Sequence, residues 1–293
     1  MSADSDFLDL SGVQPPKDQA TLLNAGRFPL LQGLSPVSMR TLQQSARVMH
    51  VSKGVELLHE GDTPHDLYFI ETGRLAIGKQ VGTQLRVIAK LGPGDIYGEF
   101  GVLRRKSRYA SVYTIEPSRI IRVDIPAIQQ VLESDRTFRE SLTRMLTKRM
   151  LDSFFFSHPV FATMPAEARA MLSRQLPIRF HEGGTRLFSQ GDAPASVLLI
   201  LSGEVEVRYL NKSGAEILLE IRRDNDLLGE VATKNGTELA YSAIAASGTD
   251  VLELNAETLR TLRDAYPAIA NALDTYIDKR TAQTVKRLKE NLV

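Results

Sequence analysis

Residues 54–78, GVELLHEGDTPHDLYFIETGRLAIG, are echoed by residues 184–208, GTRLFSQGDAPASVLLILSGEVEVR. Gly54/Gly184, Gly61/Gly191, Asp62/Asp192, Pro64/Pro194 and Gly73/Gly203 each stand 130 positions apart. Pro29 and Pro159 keep that offset, and Gly98/Gly229 with Glu99/Glu230 shift it only to 131. Turn residues shared by chance do not hold a register over so many positions, so the chain reads as two copies of one domain. Within a copy, short runs such as LYFI, LRVIA, ASVYTI and RIIRVDI are rich in β-branched and aromatic residues. Lys53-Gly54, Gly61-Asp62, Thr72-Gly73, Gly82-Thr83 and Gly92-Pro93-Gly94-Asp95 bound them as turns. Many short strands at that spacing predict a mainly β fold with flanking helices, built as two tandem jelly-roll β-barrels.

Helical patterns flank the strands. Met39–Val48 reads as a short amphipathic turn before them, and AIQQVLESDRTFRESLTRMLTKRMLDSFF after them places Leu142, Met145, Leu146, Met150 and Leu151 largely on one face. The second copy closes with residues 268–292, where Leu273, Ile277, Val285, Leu288 and Leu292 form either a stripe packed on their own barrel or the seam of a homodimer. The predicted division is a flexible arm over 1–27, a first domain over 28–157 and a second over 158–293. With 293 residues, 43% hydrophobic and 24% charged, the composition is that of an ordinary globular protein with two cores. The net charge of +1 offers no broad field for a polyanion, so nucleic acid is not expected as a partner. The absence of cysteine excludes disulfides and thiolate chemistry, no apolar run is long enough to span a bilayer, and the acidic first residues are unlike an export signal; a cytoplasmic location is expected.

Residues 94–112 run GDIYGEFGVLRRKSRYASV. Gly-Asp, an aromatic before Gly-Glu, small or apolar residues, a variable loop, then Arg and a small residue make up a pattern. It resembles the phosphate-binding cassette of cyclic-nucleotide-binding domains, found in catabolite-activator-type regulators, kinase regulatory subunits and gated channels. The resemblance covers most of residues 28–157 and implies a ligand site of Gly98, Glu99, Phe100, Gly101, Arg108, Tyr109, Ala110 and Val87. Arg108 would grip the cyclic phosphate with its planar fork, a role a lysine fills poorly. Small residues after Gly98 would let the backbone approach, and a short helix opening at Glu99 would turn N–H groups toward the anion. Glu99 would accept from the ribose 2′-hydroxyl, and Val87 would support the base from inside the barrel. The bulky Tyr109 stands where members favour a small residue and guanine-preferring members tend to carry Thr, which weakens the case for cyclic GMP and leaves the base preference open; cyclic AMP is the expected ligand. Phe154, Phe155 and Met150 are candidates for a lid over the base.

The second copy, residues 224–244, reads DNDLLGEVATKNGTELAYSAI, with Leu239 at the distance from Gly229 that separates Arg108 from Gly98. No Lys or Arg occurs from Asn235 to Ala246. A phosphate there would meet Glu230 and Glu238 without a cation unless Lys234 or Arg222 folded in, so the second domain is expected to bind cyclic nucleotides poorly.

The expected function is therefore a non-enzymatic receptor that turns ligand binding in the first domain into altered contacts with the second domain or with a protein partner not named by the sequence. Family transcription factors add a helix-turn-helix, which is not read here before the sequence ends at Val293. Arg104-Arg105-Lys106-Ser107 mimics a basic kinase-recognition sequence but lies inside the phosphate loop, which counts against a kinase-regulatory-subunit-like inhibitor acting through it. Tandem barrels also occur in bicupin metal enzymes, which need a His-x-His pair. His50, His59, His65, His158 and His181 are not so spaced, and neither a metal nor a catalytic residue is predicted.

Overall fold

The computed structural model describes residues 23–63, 66–81, 84–104, 110–175 and 178–291. The chain divides into two compact units, Met1–Leu146 and Thr147–Val293. In the first, α1 (Pro36–Ser45) is followed by β1 (Arg47–Val51), β2 (Glu56–Leu58), β3 (Leu67–Thr72), β4 (Leu75–Val81), β5 (Gln84–Leu91), β6 (Ile96–Tyr97) and α2 (Glu99–Arg104). Then come β7 (Ser111–Thr114), β8 (Ser118–Val123), α3 (Ile125–Ser134) and α4 (Arg136–Ser157). Its antiparallel strands form two four-stranded sheets, ordered β1-β8-β3-β6 and β2-β7-β4-β5, which is the strand order of a jelly roll.

The runs LYFI and RIIRV carry adjacent apolar residues, Phe69-Ile70 and Ile120-Ile121, because their sheet is buried on both faces. Ile70, Ile120 and Val51 point inward, onto Leu75, Leu91 and Val112 of the facing sheet. Phe69, Ile121 and Val48 take the opposite parity and pack under Leu42, Ile128, Val131, Phe138 and Leu142 of the helices. Of the segment read as a flexible arm, residues 1–22 lie outside the described residues and the last five are docked. Leu23 is fully buried, its carbonyl accepts from Gln43 Nε2 at 3.0 Å, and Arg27 pairs with the buried Glu71.

The second unit repeats the plan. After α5 (Ala166–Gln175) come β9 (Ile178–His181), β10 (Arg186–Phe188), β11 (Ser196–Ser202), β12 (Val205–Leu210), β13 (Glu216–Arg222), β14 (Leu227–Leu228) and α6 (Glu230–Asn235). Next are β15 (Ser242–Ala245), β16 (Thr249–Asn255), α7 (Ala256–Ala265) and α8 (Pro267–Asn291). The sheets are β9-β16-β11-β14 and β10-β15-β12-β13, strand for strand the order of the first unit. Even the caps repeat. Asp124 and Asn255, 131 residues apart, accept from the N–H groups of Ala127 (3.1 Å) and Thr258 (2.8 Å) at the starts of α3 and α7, contacts worth about 1 kcal/mol each. The helical pattern predicted after the first barrel is broken at Asp135, whose carboxylate accepts from Phe138 N at 3.2 Å and so restarts the chain as α4.

The C-terminal end of α4 belongs to the second unit. There His158, fully buried, lies among Phe154, Phe161 and Tyr276 at ring-centroid distances of 5.0, 4.9 and 5.2 Å. Its Nδ1 accepts from Val160 N at 3.1 Å, which places the proton of the neutral ring on Nε2. Burial holds its pKa down to about 4, the backbone of Asn225 pulling the other way by less. The unfolded chain therefore binds the extra proton from pH ~6.5 downward while the fold refuses it until pH ~4. The stabilisation is complete above that window and shrinks through it by up to ~1.4 kcal/mol per pH unit. Urea midpoints between pH 7 and 4.5 should fall more steeply for the wild type than for His158→Gln; equal acid slopes would remove His158 as the cause.

Candidate functional site

In the first unit the turn from β6 into α2 is made by Gly98, at φ +100, a left-handed conformation that a side chain would strain. Glu99 opens α2 and is 7% exposed, Phe100 is half-buried, and Gly101 and Val102 are buried. Ala110, buried, leads into β7. The register then runs across three strands, Ser111 opposite Gly78 and Gly78 opposite Val87. This sets Ala110 and Val87 about two strand spacings, ~10 Å, apart. Val87 lies beyond the register shift between Ile77 and Gly78, so it takes the parity of Gly78 rather than that of Leu91, and it is 46% exposed. Gly98, Glu99, Phe100 and Gly101 thus lie together at the β6–α2 turn, and Ala110 enters β7 two strands away from Val87. Arg108 and Tyr109 lie outside the described residues, as do Pro64, His65, Gly82 and Thr83.

The corresponding place in the second unit is filled from within. Gly229 makes the same turn at φ +74, but its N–H donates to Tyr241 Oη at 3.0 Å. Tyr241 stands 131 residues after Ala110, so a phenol occupies the place of a methyl group. Leu239, at the position of Arg108, is buried, and a Cβ on Gly229 would lie 3.4 Å from its Cδ2. Glu230 is not left bare, contrary to the expectation from the loop alone. Arg222 Nη1 donates to both of its oxygens, at 3.1 and 3.3 Å. The same guanidinium reaches Glu220 Oε1 from Nε (2.9 Å), Tyr241 Oη from Nη1 (3.1 Å), the carbonyl of Leu227, and Thr284 Oγ1 from Nη2 (2.9 Å). Both Arg222 and Glu230 have 0% exposure. Burial opposes the Arg222 charge, but Tyr241, Glu230 and Glu220 outweigh it and raise the pKa, so the arginine stays charged. The buried phenol of Tyr241 is pushed up and remains neutral.

The origin of this cation is visible in the strand register. Val205 pairs with Arg222 as Leu75 pairs with Leu91, and Val207 pairs with Glu220 as Ile77 pairs with Ala89. The second barrel has exchanged two inward apolar residues for an ion pair. Of the two cations that could fold in, Lys234 and Arg222, it is Arg222 that does so, from a strand rather than from the loop position where the cassette carries its arginine. Three simultaneous departures at inward repeat positions, Leu91 to Arg222, Ala89 to Glu220 and Ala110 to Tyr241, were the signal.

Comparison with known proteins agrees with this architecture. The model of the cyclic nucleotide-binding domain matches residues 48–135 and again 178–266. The chain belongs to that family. This cyclic nucleotide-binding chain is 24% identical over 274 residues, 88% of its length, to a cAMP-dependent protein kinase regulatory subunit of Mycosarcoma maydis, of which it spans 50%. It is 26% identical over 236 residues, 79% of its length, to a cGMP-dependent protein kinase of Drosophila melanogaster, of which it spans 29%. The chain thus spans about half or less of these curated relatives. Among solved structures it resembles the regulatory domain of Toxoplasma gondii PKA with cAMP, with TM-score 0.40 and 20% identity over 87% of this chain and 92% of that one.

Other expectations fare differently. Met150, Phe154 and Phe155, considered as a lid, are buried in the second unit, where Phe154 stacks among Phe155, His158 and Phe161. The rings of Phe154 and Phe155 are engaged in that cluster. His50 and His59 are exposed, and among the described residues no group of His, Asp and Glu is placed to hold a metal. No helix among the described residues is long and apolar enough to cross a membrane.

Proposed function

We propose that the chain is a cyclic-AMP receptor of regulatory type, taking one nucleotide per chain in its first barrel and performing no chemical step of its own. Residues 28–157 form the ligand-competent domain, and 158–293 a companion that does not bind. The observation that carries this reading is the contrast between the two cassettes. The first keeps Gly98, Glu99 and the small Ala110, and its sequence supplies Arg108. The second answers its own Glu230 with Arg222 and its own Gly229 N–H with Tyr241.

The chemistry suits a cyclic phosphodiester in the first site. A guanidinium fork meets the two free oxygens, while a carboxylate at Glu99 accepts from a sugar hydroxyl and rejects a deoxyribose. Tyr109 counts against cyclic GMP. Nucleotide binding then shifts the chain toward one arrangement that presents a changed surface to a protein partner. The kinase regulatory subunits among its relatives make a protein kinase the first partner to test, and the cysteine-free composition suits a reducing cytoplasm. Calorimetric titration should give one site per chain for cyclic AMP and weaker binding for cyclic GMP. Two equivalent sites, or none, would refute the reading.

A further inference from the structure

Along α8, Tyr276, Arg280, Thr284 and Arg287 recur every three or four residues and so share one face of the helix. The apolar pattern does not announce this stripe. Leu273 and Ile277 of that pattern are buried, but Val285 is 43% exposed while Thr284 beside it is buried. All four polar residues engage the stretch from Leu219 to Asp226. The Tyr276 hydroxyl donates to the Asn225 carbonyl at 3.4 Å, Arg280 Nη2 pairs with Asp226 at 2.6 Å, and Thr284 Oγ1 accepts from Arg222 at 2.9 Å. Arg287 reaches the Leu219 carbonyl and the Glu220 carboxylate, each at 3.4 Å. Asn225, near the end of this stretch, adopts φ +70, a strained conformation for a non-glycine residue that asparagine tolerates better than most.

We infer that Arg222 is the pin of a built-in latch, holding α8 closed on the second barrel in the absence of any ligand. This inference deepens the reading of the second barrel given above. The guanidinium joins four pieces at once: β13 through Glu220, the β14 turn through the Leu227 carbonyl, α6 through Glu230, and α8 through Thr284. Each donated bond is charge-assisted and shielded from water, the setting in which such bonds are strongest. A helix closed in this way has no free counter-charge for an incoming anion and no bond left to gain from one. Its position is therefore independent of nucleotide concentration. In the first barrel Leu91 holds the register position of Arg222.

Hydrogen exchange of the full chain, read on peptides from residues 270–291, tests the latch. In the wild type those amides should exchange slowly, and identically with or without saturating cyclic AMP. Thr284→Val, which keeps the shape and removes the acceptor, should speed their exchange about tenfold. Arg222→Lys, a point charge that cannot span five partners, should speed it further. Should the lysine variant fail to fold, Thr284→Val decides alone. Unchanged exchange in Thr284→Val would overturn the latch, as would protection of α8 by cyclic AMP in a chain carrying Arg108→Leu. The ligand-free comparison does not depend on the first barrel. A chain that binds no nucleotide yet shows the tenfold effect would sink the receptor reading and leave the latch standing.

Discussion

Arg108→Leu should weaken cyclic AMP binding by two to four decades while leaving the unfolding midpoint of the ligand-free chain within experimental scatter. The size follows from the charge. A phosphate brought into a site without its counter-ion is left unpaired at a cost of about 3–5 kcal/mol, and ~1.4 kcal/mol is a factor of ten in affinity. Arg108→Lys should recover only part of the loss, because an ammonium offers a point charge where the guanidinium offers two parallel donors. Glu230→Ala, in the other barrel, should leave the nucleotide affinity unchanged. Calorimetry on the four chains checks this pattern. Full affinity in Arg108→Leu would mean that the anion is held elsewhere, and the assignment of the first cassette would fall.

Arg222→Leu should have the opposite profile, unaltered cyclic AMP affinity and a second unit destabilised by about 3–5 kcal/mol, because Glu230 and Glu220 are left buried without their common partner. The side chains name the remedy. Combining Arg222→Leu with Glu220→Ala and Glu230→Gln restores the apolar pair that the first barrel has at Leu91 and Ala89, and removes the stranded charge. Well-packed apolar replacements of buried ion pairs are often neutral or stabilising, so the triple variant should regain most of the loss. Urea unfolding followed by circular dichroism measures both. A single variant as stable as the wild type would show that the network contributes no net stability.

The two copies were legible in the sequence because turns and caps tolerate few residue types. Gly54, Gly73 and Gly98 recur 130 or 131 positions on, and the sheets that follow have the same strand order in both units. The loss of a loop cation at Leu239 was equally plain. What replaced it was not, for a physical reason: Arg222 lies on a strand seventeen residues before Leu239, and a linear reading does not reveal which strand residues face into the barrel. Strand pairing supplies that parity, and with it the meaning of Glu220 and Tyr241. Similarly, the aromatic run at Phe154–Phe156 announced an apolar contact but not with what. Packing against Phe161 and His158 is a tertiary fact.

Filling a pocket with one of the chain's own side chains changes the order of the reaction that closes it. A tethered guanidinium is always at hand, at an effective molarity set by the fold, and it neither diffuses away nor tracks the level of a messenger in the cell. Under the proposed function a single chain has one occupancy left to titrate, and its dose–response should be a simple saturation curve with no steepness of its own. Any sharper threshold in its output must be built by bringing several chains together.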